Sequence, residues 1–174
     1  MELLEILKYI LPAIIVLITA VLMMKNLYNE EDKKRRMNLV LKNREIITPL
    51  RLQAYERVII LLERISPESL VMRTQNTANY SHELQAALLN AIRSEFDHNV
   101  SQQLYLSPEA WGYVVNAKTK ITNFINTTSR QVNPKGSAME LRTKLLEATV
   151  EMETLPTQKA IQYLKKEIAQ IFSN

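Results

Sequence analysis

Hydrophobic positions fall into two regimes along this chain: one unbroken apolar run near the start and, from residue 48 onward, stripes at three and four spacing. From Tyr9 to Met24, YILPAIIVLITAVLMM, sixteen residues pass without a charge. A spanning helix needs roughly 20 apolar residues, with a lower limit near 17, and Lys8 and Lys25 can extend the run by snorkelling. The pattern predicts one transmembrane helix, with residues 1–24 as the anchor. Pro12 falls in its first turn, where a missing N–H does little harm. A cleaved signal peptide would want a positive n-region and a small-x-small cleavage site. Glu2 and Glu5 beside Lys8, and Val21 to Met24 at the end of the run, supply neither. Residues 25–47 contain no Gly or Pro and include Met37, Leu39, Val40, Leu41, Ile46 and Ile47. They are expected to carry the helix outward as a basic stalk of about 35 Å.

After the stalk the periodicity changes. Thr48-Pro49 reads as a helix start, a hydroxyl cap followed by proline at the first helical position. Leu50, Ala54, Val58, Leu61, Leu62 and Ile65 then share one stripe, with Arg51, Glu56, Arg57, Glu63 and Arg64 on other faces. Ser66-Pro67-Glu68 repeats the start signal for a short helix, and Thr74 to Asn79 reads as a loop. Ser81 opens a longer helix with Leu84, Leu88, Ala91, Ile92 and Phe96 inward, ending near Asn99. VSQQLYLS alternates weakly and suggests an extended connection. Ser107-Pro108-Glu109 opens the next helix, with Trp111, Val114, Val115, the Lys118 stem, Ile121 and Ile125 inward. Asn133 to Gly136 is a break. Ser137 and Glu140 match a capping box ahead of Leu141, Leu145, Leu146 and Val150. After Thr154–Pro156, a last amphipathic helix carries Ile161, Leu164, Ile168 and Phe172. The expected architecture is all-α: an N-terminal transmembrane helix and helical stalk, then a small bundle of about five helices over 48–174. No heptad persists across the breaks, so a long coiled coil is not expected.

Composition supports helices: 47% of residues are hydrophobic, 6% aromatic, and glycine occurs twice. With no cysteine, a disulfide framework, a thiolate metal site and a cysteine nucleophile are excluded together. The net charge of +4 is placed unevenly, with eight Lys/Arg against five Asp/Glu in residues 1–44, and fourteen against thirteen in residues 45–174. A nucleic-acid partner is therefore not expected, since phosphate binding needs cations gathered on a folded face. The gathering instead lies in Lys25, Lys33, Lys34, Arg35, Arg36, Lys42 and Arg44, facing Lys8 alone on the other flank. By the positive-inside rule this places the C-terminal domain in the cytoplasm and the short N-terminus outside, a single-pass protein of the inner membrane. Lys33, Lys34, Arg35 and Arg36 are also the candidate contact with anionic lipid, although a topology signal alone explains them.

One spacing hints at a metal: Glu95 and His98 form E-x-x-H, three apart on a helix. Di-iron bundles require two such pairs and two further Glu, whereas the only other histidine, His82, follows Asn79 at that spacing. A homodimer could duplicate the pair. Otherwise His98 interacts with the helix C-terminus, where a cation is favoured, and Glu95 pairs with a neighbouring base. Two glycines do not build a phosphate-cradling loop; no G-x-S-x-G, H-E-x-x-H or kinase pattern occurs; and aspartates number two, Asp32 and Asp97. No catalytic residue, cofactor or enzyme activity is therefore expected. Gln102, Gln103, Tyr105, Trp111 and Tyr113 cluster around a helix start as a candidate interaction patch; the competing reading buries Trp111 in the core.

TPLRLQAYERVIILLERISPESLVMR, LQAALLNAIRSEFDHNVSQQLYLSPEAWGYVVNAKTKITNFIN and KAIQYLKKEIAQIF, behind a single span, resemble a family of uncharacterised bacterial single-span membrane proteins of the domain-of-unknown-function type. The resemblance implies an anchored helical domain and transfers no activity, cofactor or site residue. The function expected is a membrane-anchored cytoplasmic module that binds a protein partner or itself. The alternative is a metal-binding protein or enzyme with an inter-subunit site around Glu95 and His98.

Overall fold

A computed structural model describes the backbone of residues 2–74 and 78–173, and within those ranges the side chains of residues 14–171. Six α-helices and one 3-10 turn make up the described chain: α1 (Glu2–Arg64), α2 (Pro67–Arg73), α3 (Ser81–Asn99), the 3-10 helix Val100–Leu104, α4 (Pro108–Ser129), α5 (Ala138–Val150) and α6 (Pro156–Ser173). No strand occurs among the described residues, and an isolated bridge pairs Tyr80 with Ser137. The chain divides into two compact units, residues 1–48 and 49–174.

In the first unit the chain is helical from Glu2 onward, and every residue from Ile14 to Ile47 is exposed. Across these exposed residues local terms hold the helix. The absence of Gly and Pro after Pro12 helps, and so does the EEDKKRR segment. Glu30, Glu31 and Asp32 each stand four residues before a base, Lys34, Arg35 and Arg36, the favourable order for helical charge pairs. The predicted span is only partly represented. Ile14 to Met24 belong to the residues whose side chains are described, whereas Tyr9 to Ala13 lie outside them. Among the described residues no helix is long and apolar enough to cross a membrane, because charge resumes at Lys25.

The second unit begins inside α1. The predicted helix start at Thr48-Pro49 is not a start: α1 runs through it to Arg64. Proline gives up one hydrogen bond, from its own position to the Glu45 carbonyl, and the flanking turns carry the helix across. Beyond this point α1 buries Ala54, Tyr55, Val58, Leu61, Leu62 and Ile65, while Leu50, one turn earlier, stays exposed. The core continues with Leu70 and Val71 of α2, Leu84, Leu88 and Ile92 of α3, Ala110, Val114, Ala117, Ile121 and Ile125 of α4, Leu141 and Leu145 of α5, and Ala160, Ile161 and Leu164 of α6. Helix α4 is the central element, packed on α3, α5 and α6, with α2 bridging α3 and α5.

Boundaries follow capping chemistry. Ser107 Oγ accepts from the Ala110 amide at 3.0 Å, and Ser137 Oγ from Met139 at 3.2 Å, satisfying amides that the first helical turn leaves unpaired. Ser66 differs from expectation, since its hydroxyl turns back to the Glu63 carbonyl at 2.8 Å and leaves Pro67 to start α2. At α3, the Glu83 carboxylate accepts from the amides of Tyr80 and Asn79 at 3.2 and 3.1 Å. Those two bonds hold its pKa below the ordinary carboxylate value. The next two amides are taken by another loop: Ser81 N–H donates to Gly136 and His82 N–H to Pro134, each at 3.0 Å. Ala138 N–H returns a bond to Asn79 at 2.9 Å, so the starts of α3 and α5 are clasped together. VSQQLYLS, expected to be extended, coils as the 3-10 turn over its first five residues. Val115, Leu146 and Val150, expected inward, are exposed; Ala117 and Thr149 occupy the inward positions instead, so small side chains carry a tight helix seam that a large-apolar pattern does not show.

Candidate functional site

A polar cluster of the second unit lies where α1, α4 and α6 meet. Glu167 of α6 accepts the Tyr55 hydroxyl at 2.5 Å on one oxygen and the Ser107 hydroxyl at 2.9 Å on the other. Because Ser107 Oγ is also the cap acceptor of α4, one carboxylate ties together a buried tyrosine of α1, the start of α4 and the last helix. Burial pushes the Tyr55 phenol up to about 12, and the Glu167 carboxylate adds to the shift, with Arg51 opposing it. Arg51 itself donates to the Tyr105 carbonyl at 3.2 Å. Both Glu167 oxygens and the Tyr55 and Ser107 hydroxyls are paired with one another, so the cluster is built to lock helices.

One turn further along the α4–α6 seam the surface opens. Tyr113 of α4 stacks on Tyr163 of α6, ring centroids 4.2 Å apart and planes 18° apart. The Tyr163 hydroxyl donates to Glu109 at 2.7 Å. That hydrogen bond comes first among the causes that push the Tyr163 phenol up to about 12, followed by desolvation and the Glu109 and Glu167 charges. Glu109, Gly112, Tyr113, Asn116 and Tyr163 line a cleft of about 310 Å³.

The E-x-x-H pair is placed at the end of α3. Glu95 accepts from Arg73 at 2.9 Å and stands 3.3 Å from Arg64, so this carboxylate closes a junction of α1, α2 and α3. His98 occupies the last turn of α3 and lines an open depression of about 470 Å³ with Asn90, Arg93, Ser94 and Asp97, all on one face of that helix. Among the described residues no group of three or more His, Asp or Glu is arranged to hold a metal ion.

The candidate interaction patch is divided between two sides of α4. Trp111 is half-buried against Phe96 of α3, centroids 5.4 Å apart, and Lys118 covers the Phe96 ring at 3.9 Å. Tyr113, two residues on, faces α6. Gln102 is buried, Gln103 exposed, and Tyr105 lies at the end of the 3-10 turn with its ring exposed. Lys33, Lys34, Arg35 and Arg36 are exposed along α1. Sequence reasoning missed Tyr55, Glu109, Tyr163 and Glu167. Tyr55 was within reach, since it shares a stripe with Val58, Leu62 and Ile65; the others join only through tertiary packing of α4 on α6.

Comparison with known proteins adds a family and little chemistry. Over 158 residues, 85% of the chain, it is 25% identical to an "Uncharacterized MscS family protein" of Haemophilus influenzae, and it spans 14% of that protein's length. No solved structure matches. Residues 1–171 match the model described as "Family of unknown function (DUF7935)", and the chain belongs to that family.

Proposed function

We propose that the protein is a membrane-anchored helical interaction module, held in the bilayer by the single span of residues 9–24 with its domain of residues 49–174 on the cytoplasmic side. The observation that carries this reading is the apolar character of α1 on every side from Ile14 to Met24. Ile14, Ile15, Val16, Leu17, Ile18, Val21, Leu22, Met23 and Met24 are each 48–69% exposed. A helix that is apolar all round needs a nonaqueous setting. The one hydroxyl in this stretch is spent internally: Thr19 Oγ1 reaches the Ile15 and Val16 carbonyls at 2.8 and 2.9 Å, as a polar group in lipid must. Orientation rests on the seven cations from Lys25 to Arg44. The scaffold role is favoured by a second unit whose polar clusters are consumed in joining helices, and by exposed apolar side chains at Met72, Leu104, Met139 and Val150.

The test is alkaline carbonate extraction of membranes from cells expressing the full chain, paired with a periplasmic reporter fused after Asn174. The wild type is expected to stay in the pellet with the reporter silent, and Leu17→Glu with Val21→Lys to release it. Release of the wild type would remove the anchor, and an active reporter would reverse the orientation.

A further inference from the structure

We propose that the α4–α6 cleft lined by Glu109, Gly112, Tyr113, Asn116 and Tyr163 binds an organic cation: an alkylammonium or guanidinium group. The inference goes beyond the anchor reading and does not depend on it. Three observations converge. Tyr113 and Tyr163 cover one face of each other by stacking, yet Tyr113 keeps 42% of its surface exposed, and the tyrosine face left open attracts cations through its quadrupole. Beside them, Glu109 has a hydrogen bond from Tyr163 but, among the described residues, no ion pair; only Glu95 is in ion pairs. Glu167 adds to the negative field at Tyr163. The third observation is Gly112. It lies in the interior of α4, where glycine weakens a helix relative to alanine, and a Cβ there would meet nothing within 4 Å. Neither packing nor backbone conformation requires glycine here, since no glycine has positive φ. What its missing side chain preserves is open space along the cleft that Gly112 lines. An open ring face, a carboxylate with no ion pair and an unobstructed lining at Gly112 are the elements of a site for a compact organic cation, which could reach it as a small amine or as the Lys or Arg side chain of another protein.

The test is titration of the full chain in detergent micelles, followed by NMR of 13C-labelled tyrosine rings. The probes are choline chloride, its neutral carbon isostere 3,3-dimethylbutan-1-ol, and N-acetyl-arginine methylamide, with sodium chloride as the ionic-strength baseline. Saturable movement of the Tyr113 and Tyr163 signals is expected with the two cations and not with the isostere. Glu109→Gln should weaken binding about tenfold, and Gly112→Val should abolish it while the remaining tyrosine signals keep their positions. Tighter binding of the arginine probe assigns the site to a basic side chain of a partner; tighter binding of choline assigns it to a small quaternary amine. Equal shifts with the isostere, no saturable shift with any probe, or wild-type affinity in a folded Glu109→Gln variant would overturn the proposal.

Discussion

Gly112 and Gly136 are the two glycines of the chain, and their surroundings predict opposite responses to alanine. At Gly112 a methyl group enters open space, so Gly112→Ala should stabilise the domain by about 0.5–1 kcal/mol through helix propensity. At Gly136 the added carbon would stand 3.0 Å from the Asn133 carbonyl oxygen and 3.1 Å from Glu140 Oε2. Gly136→Ala should therefore destabilise, and urea midpoints of the pair compared with wild type check both signs. Tyr55 supplies a pH signature. Its phenol titrates near 10 when unfolded and about 12 in the fold, so between those values only the unfolded chain has lost the proton. The contribution is intact below pH 10, declines as pH rises from 10 to 12, and is absent above. Tyr55→Phe should cost about 1–2 kcal/mol at pH 8, by removing a hydrogen bond to a charged acceptor, and should make stability fall less steeply above pH 10. An unchanged slope in urea titrations at pH 9, 10 and 11 would refute this. At this scale the sequence was legible where one residue type has one job, as with Ser107 capping α4. It was opaque where the role depends on a distant partner: nothing in the spacing of Glu167 announces Tyr55, 112 positions away, and Glu95 looked like half a metal site because its partners Arg64 and Arg73 come from other helices.

At the level of elements, the stripes of α3, α4 and α6 were readable because a helix in a small domain must bury one face, and three and four spacing records which. Thr48-Pro49 was misread for an instructive reason. The same dipeptide satisfies a helix start and, at the cost of one hydrogen bond, a helix interior, and only the uninterrupted helical sequence on both sides decides between them. That dual character gives α1 a weak point. The Glu45 carbonyl lacks its partner at position 49, and the junction coincides with the border between the two units. Amides from Ile46 to Gln53 should therefore exchange faster than those from Arg57 to Arg64, where the helix is packed. Pro49→Ala should slow that exchange, by about a hundredfold at most, corresponding to the roughly 3 kcal/mol of an interior proline. Uniform exchange along α1, or no response to Pro49→Ala, would show that the junction is no weaker than its neighbours. The 3-10 turn escaped the sequence because polar SQQ residues in a short apolar frame suit a coil and an extended strand equally, and the choice is made by docking between α3 and α4.

For the whole molecule, the division of labour is thermodynamic. Among the described residues every core residue, from Ala54 to Leu164, belongs to the unit of residues 49–174, while residues 14–47 are exposed throughout. Stability is therefore concentrated in one unit, and the apolar surface of the other is left for its surroundings to cover. A fragment of residues 49–174 should fold alone in water and unfold in a single cooperative urea transition, since it keeps the buried core described for this unit. Within it, Leu61 is fully buried and Ile60, its neighbour, is about half exposed, which makes them a matched pair. Leu61→Asp would place an unpaired charge among Val58, Leu62 and Ile65 and should cost more than about 4 kcal/mol, enough to unfold a marginally stable domain. Ile60→Asp should stay within about 0.5 kcal/mol of wild type. Circular dichroism and urea unfolding of the three fragments decide the matter: a cooperative transition lost only in Leu61→Asp means that the stripe read from spacing is the core of a self-sufficient domain, whereas a fragment that melts without cooperativity even in its wild-type form means that residues 1–48 take part in folding it.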